Sequence, residues 1–146
     1  MFRQFLDRFS NRKGDGTVTI LGLYDAGKTT MLYKLVTGEV VQTISSIGIN
    51  VESLELPTAS RRKLKLTLMD IGVGCGIRFF NSVVGIYAEN SDVLIWVVDS
   101  SDTELLGESV KLLEGLFVRL GRDPTPRKGK TCPVLMYDFF RLPSSV

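Results

Sequence analysis

One stretch of the chain combines phosphate-binding residue types at a defined spacing. Residues 22–29 read Gly-Leu-Tyr-Asp-Ala-Gly-Lys-Thr and match the pattern Gly-x-x-x-x-Gly-Lys-[Ser/Thr] at every fixed position. Gly22 and Gly27 let the backbone turn sharply and leave no side chain in the way of a ligand. Lys28 would place a cation on the β- and γ-phosphates of a nucleotide, and Thr29 would offer its hydroxyl to Mg²⁺. The pattern therefore predicts a site for a nucleotide and magnesium.

The segments on either side of this loop support that interpretation. Residues 17–21 are typical of a buried strand, and the spacing predicts an amphipathic helix over 29–36 that ends at Thr37-Gly38. The start of this helix, near Lys28, would add the positive end of its dipole to the phosphate site. The alternative is a glycine-rich turn that fits by accident, with a chance of under about 1% in a chain of this length.

A carboxylate follows at a position suited to magnesium. Residues 50–56 and 63–69 alternate between polar and apolar types, which predicts a β-hairpin with one buried face. The second strand runs into Asp70. In proteins with this kind of phosphate loop (P-loop proteins), an acidic residue at the end of a later strand is the second residue of the magnesium site. The alternative is an aspartate that simply starts a turn.

The remaining pattern predicts an α/β fold. Residues 38–49 have no clear period and indicate a surface loop, whereas the apolar run 92–98 is typical of a central strand covered on both faces. Ser101 or Asp102 would cap a helix that runs to about Leu120, and 132–137 form a last short strand. The expected buried stripe of that helix is Leu105, Leu106, Val110, Leu113, Leu116 and Phe117. This alternation favours a mostly parallel sheet flanked by helices, with the ligand at the carboxyl ends of the strands.

Composition narrows the function further. The chain has 146 residues, enough for one domain, and its net charge of +2 is too small to indicate binding to nucleic acid. The absence of histidine excludes histidine-based acid–base catalysis and most zinc sites. Cys75 and Cys132 lie far apart without a disulfide framework, which fits a reducing compartment. With no transmembrane-length run or signal peptide, we expect a cytosolic or membrane-surface protein.

The N-terminus carries an apolar helical stripe. Phe2, Phe5, Leu6 and Phe9 stand at i, i+3, i+4 and i+7, and basic residues lie on or near the other faces. Helices of this kind rest on anionic membranes. The alternative is a short helix that packs its phenylalanines onto the domain's own core. Residues 1–16 would be this helix and its linker, and 17–146 the nucleotide-binding domain.

Together these motifs resemble those of the Arf (ADP-ribosylation factor) and Arf-like small GTPases. The resemblance rests on the phosphate loop at 22–30, the first switch at 46–52, the second at 70–72 and 77–78, and the fourth strand at 97–100, and it covers roughly residues 1–137. It implies the P-loop NTPase fold of Ras-like small GTPases and, as ligands, GTP, GDP and Mg²⁺. It also implies a membrane-trafficking role at Golgi-type endomembranes, where the N-terminal helix is expelled towards the membrane when GTP binds.

The resemblance assigns roles to individual residues. The implied magnesium ligands are Thr29 and Ser46, which replaces the family's threonine, with Asp70 holding a magnesium-bound water. The Gly72 N–H would sense the γ-phosphate. The implied nucleotide-binding residues are Gly22, Leu23, Tyr24, Asp25, Ala26, Gly27, Lys28, Thr29, Thr30 and Gly72.

Three features depart from the family. Gly74 stands where the family has a glutamine that orients the attacking water. We therefore expect slow GTP hydrolysis and assign no catalytic residue. The segment 79–86 is longer than in the family and lacks its sequence pattern. The effectors and regulators of this chain therefore cannot be predicted from the resemblance. Residues 138–141 read Asp-Phe-Phe-Arg in place of the guanine-reading Asn-Lys-x-Asp, and the sixth strand and final helix are expected to be missing. A pseudo-GTPase that keeps the fold without switching, or a P-loop protein for another nucleotide, remain the alternatives.

Overall fold

The computed structural model describes residues 15–41, 43, 47–57, 63–73, 84–120 and 134–138. Within these ranges the chain alternates between strands and helices, as the sequence pattern predicts. The elements in chain order are β1 (Gly16–Leu21), α1 (Lys28–Thr37), β2 (Ile47–Pro57), β3 (Lys63–Val73), α2 (84–89), β4 (Val93–Val98), α3 (Thr103–Arg119) and β5 (Val134–Asp138).

The five strands form one sheet in the order β2-β3-β1-β4-β5. β1 pairs in parallel with both β3 and β4, and β4 pairs in parallel with β5, while β2 and β3 form an antiparallel pair. This confirms the predicted α/β fold with a mostly parallel sheet and the predicted hairpin. The carboxyl ends of β1, β3, β4 and β5 therefore lie on one edge of the sheet.

Helices cover both faces of the sheet. On one face, Met31 and Leu32 of α1 belong to a buried cluster with Ile20 and Ile95. On the other face the buried cluster contains residues of α2, α3 and β4, namely Val84, Ala88, Leu94, Trp96, Leu113 and Leu116. Alternate residues of β4 fall in the two clusters, which confirms that this strand is covered on both faces.

The ends of the two longer helices follow from their caps. Gly38 closes α1 in the left-handed conformation (φ 81°), and its N–H donates to Lys34 O at 3.0 Å, as the predicted end at Thr37-Gly38 requires. Asp102 caps α3 by accepting hydrogen bonds from the backbone N–H groups of Glu104 and Leu105 at 3.1 and 3.0 Å. Both boundaries are confirmed.

Part of the predicted packing of α3 is wrong. Leu106 and Val110 are 38% and 45% exposed, because the buried face runs through Ser109, Leu113 and Leu116. The buried Ser109 is accommodated because its Oγ accepts a hydrogen bond from Trp96 Nε1 at 3.0 Å.

One boundary and one helix earlier in the chain also differ from expectation. β2 begins at Ile47, so the predicted surface loop over 38–49 is too long at its end. The helical residues 84–89 were not predicted.

Candidate functional site

The phosphate loop turns between β1 and α1 through residues with positive φ. Gly22, Asp25 and Gly27 have φ values of 150°, 56° and 85°. Left-handed residues alternating with right-handed ones turn successive backbone N–H groups into one concavity, which is the geometry of anion-binding nests. Gly27 is the N-cap of α1 and makes no side-chain cap hydrogen bond. The first turn of the helix is therefore open to an anionic ligand.

Gly22 is required by a close approach as well as by its backbone angle. A Cβ atom built at this position would lie 2.3 Å from the carbonyl oxygen of Val97 in β4. No side chain fits at that distance. The absence of a side chain therefore lets the start of the loop rest directly on the backbone of the neighbouring strand.

Lys28 is a buried cation at the centre of the loop. The residue is only 6% exposed, and its Nζ donates a hydrogen bond to Leu23 O at 2.6 Å. Burial lowers the pKa of the Lys28 ammonium, and the carboxylates of Asp70 and Asp25 partly offset that effect. A phosphate placed beside Nζ would supply the negative charge that a buried ammonium requires.

Thr29 and Asp70 meet beside this cation, as the magnesium prediction requires. Thr29 Oγ1 donates to Asp70 Oδ2 at 2.5 Å, and Asn50 Nδ2 donates to the same oxygen at 3.2 Å. Asp70 is fully buried, and within the part of the chain that the structure describes its Oδ1 has no hydrogen-bond partner.

The chemistry of these groups fits Mg²⁺. Magnesium in nucleotide sites is held by one or two protein oxygens, several waters and the substrate's phosphates. The Thr29 hydroxyl donates its proton to Asp70, and the oxygen of a hydroxyl that donates can at the same time bind a cation through a lone pair. The orphaned oxygen of Asp70 is an acceptor for a metal-bound water. Thr29 and Asp70 are therefore the residues that would hold the ion.

Asp70 lies inside a strand, so the alternative in which it starts a turn is wrong. The parallel pairing of β1 with β3 ends at the pair Ile20 and Asp70, but β3 continues to Val73 against β2. In that continuation Gly72 lies opposite Gly48. Asp70 thus sits where the parallel part of the sheet ends, at the same edge as the phosphate loop.

The other candidates are distributed around this edge. Tyr24 and Asp25 are exposed on the loop, whereas Leu23 and Ala26 are buried. Thr30 Oγ1 lies 3.1 Å from Thr43 Oγ1, so it links α1 to the segment that precedes β2.

Several predicted residues lie outside the described ranges. They are Ser46, Gly74 and the N-terminal residues Phe2, Phe5, Leu6 and Phe9. Asp138 is the last residue of β5, where it pairs with Val98 at the carboxyl edge of the sheet.

Asn50 is a site residue that sequence reasoning did not single out. It appeared only as a member of the switch-like stretch 46–52, and in the structure its amide donates to the Asp70 carboxylate. The alternation of 50–56 places Asn50 on one face of its strand, but only the register of β2 on β3 places it opposite Asp70. That register could not be obtained from the local pattern.

Comparison with known proteins decides the family. The model of the ADP-ribosylation factor family matches residues 2–121, most of the chain. The chain belongs to the ADP-ribosylation factor family. This membership confirms the resemblance on which the residue roles were assigned.

Individual relatives in the Arf family agree with this membership. ADP-ribosylation factor 3 of Arabidopsis thaliana is 40% identical over 105 residues, which is 72% of this chain and 52% of that protein. ADP-ribosylation factor-like protein 1 of Caenorhabditis elegans is 45% identical over 92 residues, 63% of this chain and 47% of that protein. The chain thus spans about half the length of the curated relatives it matches.

Solved structures confirm the small-GTPase fold. The Arl6 BBS3 small GTPase from Trypanosoma brucei with the bound nucleotide analogue GppNp superposes with a TM-score of 0.62 at 27% identity, over 84% of this chain and 65% of that one. The mammalian SRP receptor structure gives a TM-score of 0.66 at 20% identity, over 82% and 60% of the two chains, and shares the fold. The helices in the described part of this Arf-family chain do not combine the length and hydropathy that a membrane span requires.

Proposed function

We propose that this Arf-family chain is a GTP-binding switch that acts at membrane surfaces in trafficking and hydrolyses GTP slowly. The observation that carries the proposal is that a buried cation and a buried carboxylate lie near each other at the phosphate loop. Lys28 is 6% exposed, and Asp70 is fully buried with an oxygen that lacks a partner among the described residues. Charged groups buried in this way require complementary ligands. A nucleotide phosphate with Mg²⁺ supplies both.

Each group at the site has a task in that function. The N–H groups of the loop and of the first turn of α1 would bind phosphate oxygens. Lys28 would exchange its bond to Leu23 O for the β- and γ-phosphates. Bound magnesium would neutralise phosphate charge, with Thr29 and Asp70 as its protein contacts. Ser46 and the Gly72 N–H, assigned by family resemblance, would order the two switches when a γ-phosphate is present.

Slow turnover follows from Gly74. In the Arf family a glutamine at this position orients the attacking water, and glycine has no side chain with which to do so. The apolar stripe of Phe2, Phe5, Leu6 and Phe9 is proposed as the membrane contact, since a basic helix with one apolar face binds anionic membrane surfaces.

A pseudo-GTPase is the second candidate, and one observation favours it. Residues 138–141 lack the Asn-Lys-x-Asp motif with which the family reads guanine. Asp138 ends a strand at the carboxyl edge of the sheet. Its carboxylate could accept from a base and a phenylalanine of 139–140 could stack on one, but stacking does not distinguish one base from another. Whether the folded chain binds a nucleotide at all therefore separates the two candidates.

Equilibrium binding of fluorescent GTP, GDP and ATP, each with Mg²⁺, tests the proposal. We expect GTP and GDP to bind and ATP to show no binding at the same concentrations. Lys28→Ala should abolish binding, because a phosphate-binding cation is lost. Lys34→Ala, which removes an exposed lysine from the last turn of the same helix, is the matched control and should bind normally. Unchanged binding by Lys28→Ala would refute the phosphate site, and failure of the native chain to bind any of the three would favour the pseudo-GTPase.

Hydrolysis is tested by restoring the missing side chain. Gly74→Gln should raise the single-turnover rate of GTP hydrolysis, since water positioning is a large part of what a GTPase contributes. A native rate equal to that of glutamine-bearing relatives would refute the assignment of Gly74 as the cause of slow turnover.

A further inference from the structure

Asp70 is held by its surroundings in an asymmetric way. Its Oδ2 accepts two hydrogen bonds, from Thr29 Oγ1 at 2.5 Å and from Asn50 Nδ2 at 3.2 Å. Its Oδ1 is buried and accepts none from any residue that the structure describes. A carboxylate has acceptor sites on both oxygens, so placing both donors on one of them fixes which oxygen is left for a ligand.

We propose that Asn50 is a positioning residue for the magnesium site: its amide holds the Asp70 carboxylate so that Oδ1 faces the metal-bound water. The inference rests on the proposed function, since it assigns a role within the same site. The role assigned to Asn50 is exerted through its hydrogen bond to the Asp70 carboxylate.

The donor on β2 is placed by the pairing of the strands. Asn50 lies directly opposite Asp70 in the antiparallel register of β2 on β3. The neighbours of Asn50 on the same face of β2 are Gly48, which has no side chain, and Glu52, whose carboxylate cannot donate a hydrogen bond. A neutral amide is suited to this task, because it orients the carboxylate without the charge of a lysine or arginine, which would compete with the cation.

The contact also links β2 to the phosphate loop. Thr29 belongs to α1, Asp70 to β3 and Asn50 to β2, and all three meet at one oxygen atom. Without the amide, Thr29 would be the remaining side-chain donor to the carboxylate among the described residues, and the carboxylate would be freer to rotate about its terminal torsion. Residues that hold a metal contact in this way typically change metal affinity by about 10- to 100-fold when they are replaced.

The experiment measures the release of a bound fluorescent GDP as a function of free Mg²⁺. The variants are Asn50→Leu, which has similar bulk and no donor, and Asn50→Ala. Ser53→Ala, an exposed substitution on the same strand, is the control. Two further quantities are measured for every variant: the rate of GDP release in excess EDTA, and the urea unfolding of the ligand-free chain. A merely structural role of Asn50 would change these two quantities.

We expect the Mg²⁺ concentration at half-maximal slowing of release to rise at least about 10-fold in both Asn50 variants. Release in EDTA should stay within about 2-fold of the native rate, and Ser53→Ala should match the native chain throughout. An unchanged magnesium midpoint would overturn the positioning role while leaving the proposed function standing. If neither Asn50 variant folds where Ser53→Ala does, Asn50 is a structural residue and the proposal is equally refuted. A native chain that binds no guanine nucleotide with Mg²⁺ would overturn the proposed function itself, and this role with it.

Discussion

Replacing Gly22 by alanine should be far more damaging than replacing Gly38 or Gly107. The added Cβ would lie 2.3 Å from Val97 O, which is backbone and cannot rotate away, and the residue has a φ of 150°. Gly38 and Gly107 offer matched controls. Gly38 has a φ of 81° with open space around its Cβ position, and Gly107 lies within α3 with no atom within 4 Å.

The structure gives a magnitude for each substitution. An unfavourable backbone angle costs about 1–3 kcal/mol, and overpacking in a dense region costs a further 1–3 kcal/mol or so. Gly22→Ala pays both costs and should lose about 4 kcal/mol of unfolding free energy. Gly38→Ala should lose about 1 kcal/mol, because only its backbone angle is unfavourable for alanine. Gly107→Ala should gain about 0.5–1 kcal/mol, since alanine is the better helix former.

Urea unfolding of the ligand-free variants measures these free energies, and thermal melting measures the corresponding shifts in Tm. In a chain of 146 residues, 1 kcal/mol corresponds to about 3 °C in Tm. Gly22→Ala should therefore melt about 12 °C below the native chain, and Gly38→Ala about 3 °C below it. Equal destabilisation by these two substitutions would refute the close approach of the phosphate loop to β4.

Three further predictions concern caps, the core and pH. Asp102→Ala should lose about 1 kcal/mol in urea unfolding, because two N–H groups in the first turn of α3 lose their acceptor; no loss would refute the cap. Ser109→Ala should lose about 1–2 kcal/mol, because it removes the acceptor of the Trp96 indole N–H in the core, and stability unchanged from native would contradict that bond. Burial lowers the pKa of Lys28 in the folded chain, so the unfolded chain binds that proton more tightly. The unfolding free energy should therefore rise as pH increases towards the ordinary lysine value of about 10.4, and Lys28→Met should reduce this rise.

The features that depend on local pattern were predicted from the sequence. The phosphate loop, the flanking strand and helix, and the cap at Asp102 each follow from a few adjacent residues, and the structure places them as expected. The meeting of Thr29 with Asp70 was also anticipated, because the carboxyl ends of parallel strands share one edge of the sheet.

The features that depend on strand pairing and side-chain packing were not predicted from the sequence. Asn50 reaches Asp70 only through the register of an antiparallel pair, and a shift of one residue would turn its side chain to the other face. Ser109 is polar yet buried, because a tryptophan from a strand elsewhere in the chain supplies its hydrogen bond. That contact moves the buried face of α3 away from Leu106 and Val110, which the helical period alone had placed inside.

The central claim is that the buried charges at the phosphate loop form a site for a guanine nucleotide with magnesium. Thermal melting of the chain with GTP, GDP and ATP, each with and without Mg²⁺, tests it most directly, because a ligand of the folded state raises Tm without any turnover. At 100 times its dissociation constant, a ligand stabilises by about 2.7 kcal/mol, which corresponds to about 8 °C here. We predict a shift of that size for GTP and GDP with Mg²⁺, a smaller one without it, and none for ATP. A chain that melts cooperatively at the same temperature with every nucleotide would contradict the claim.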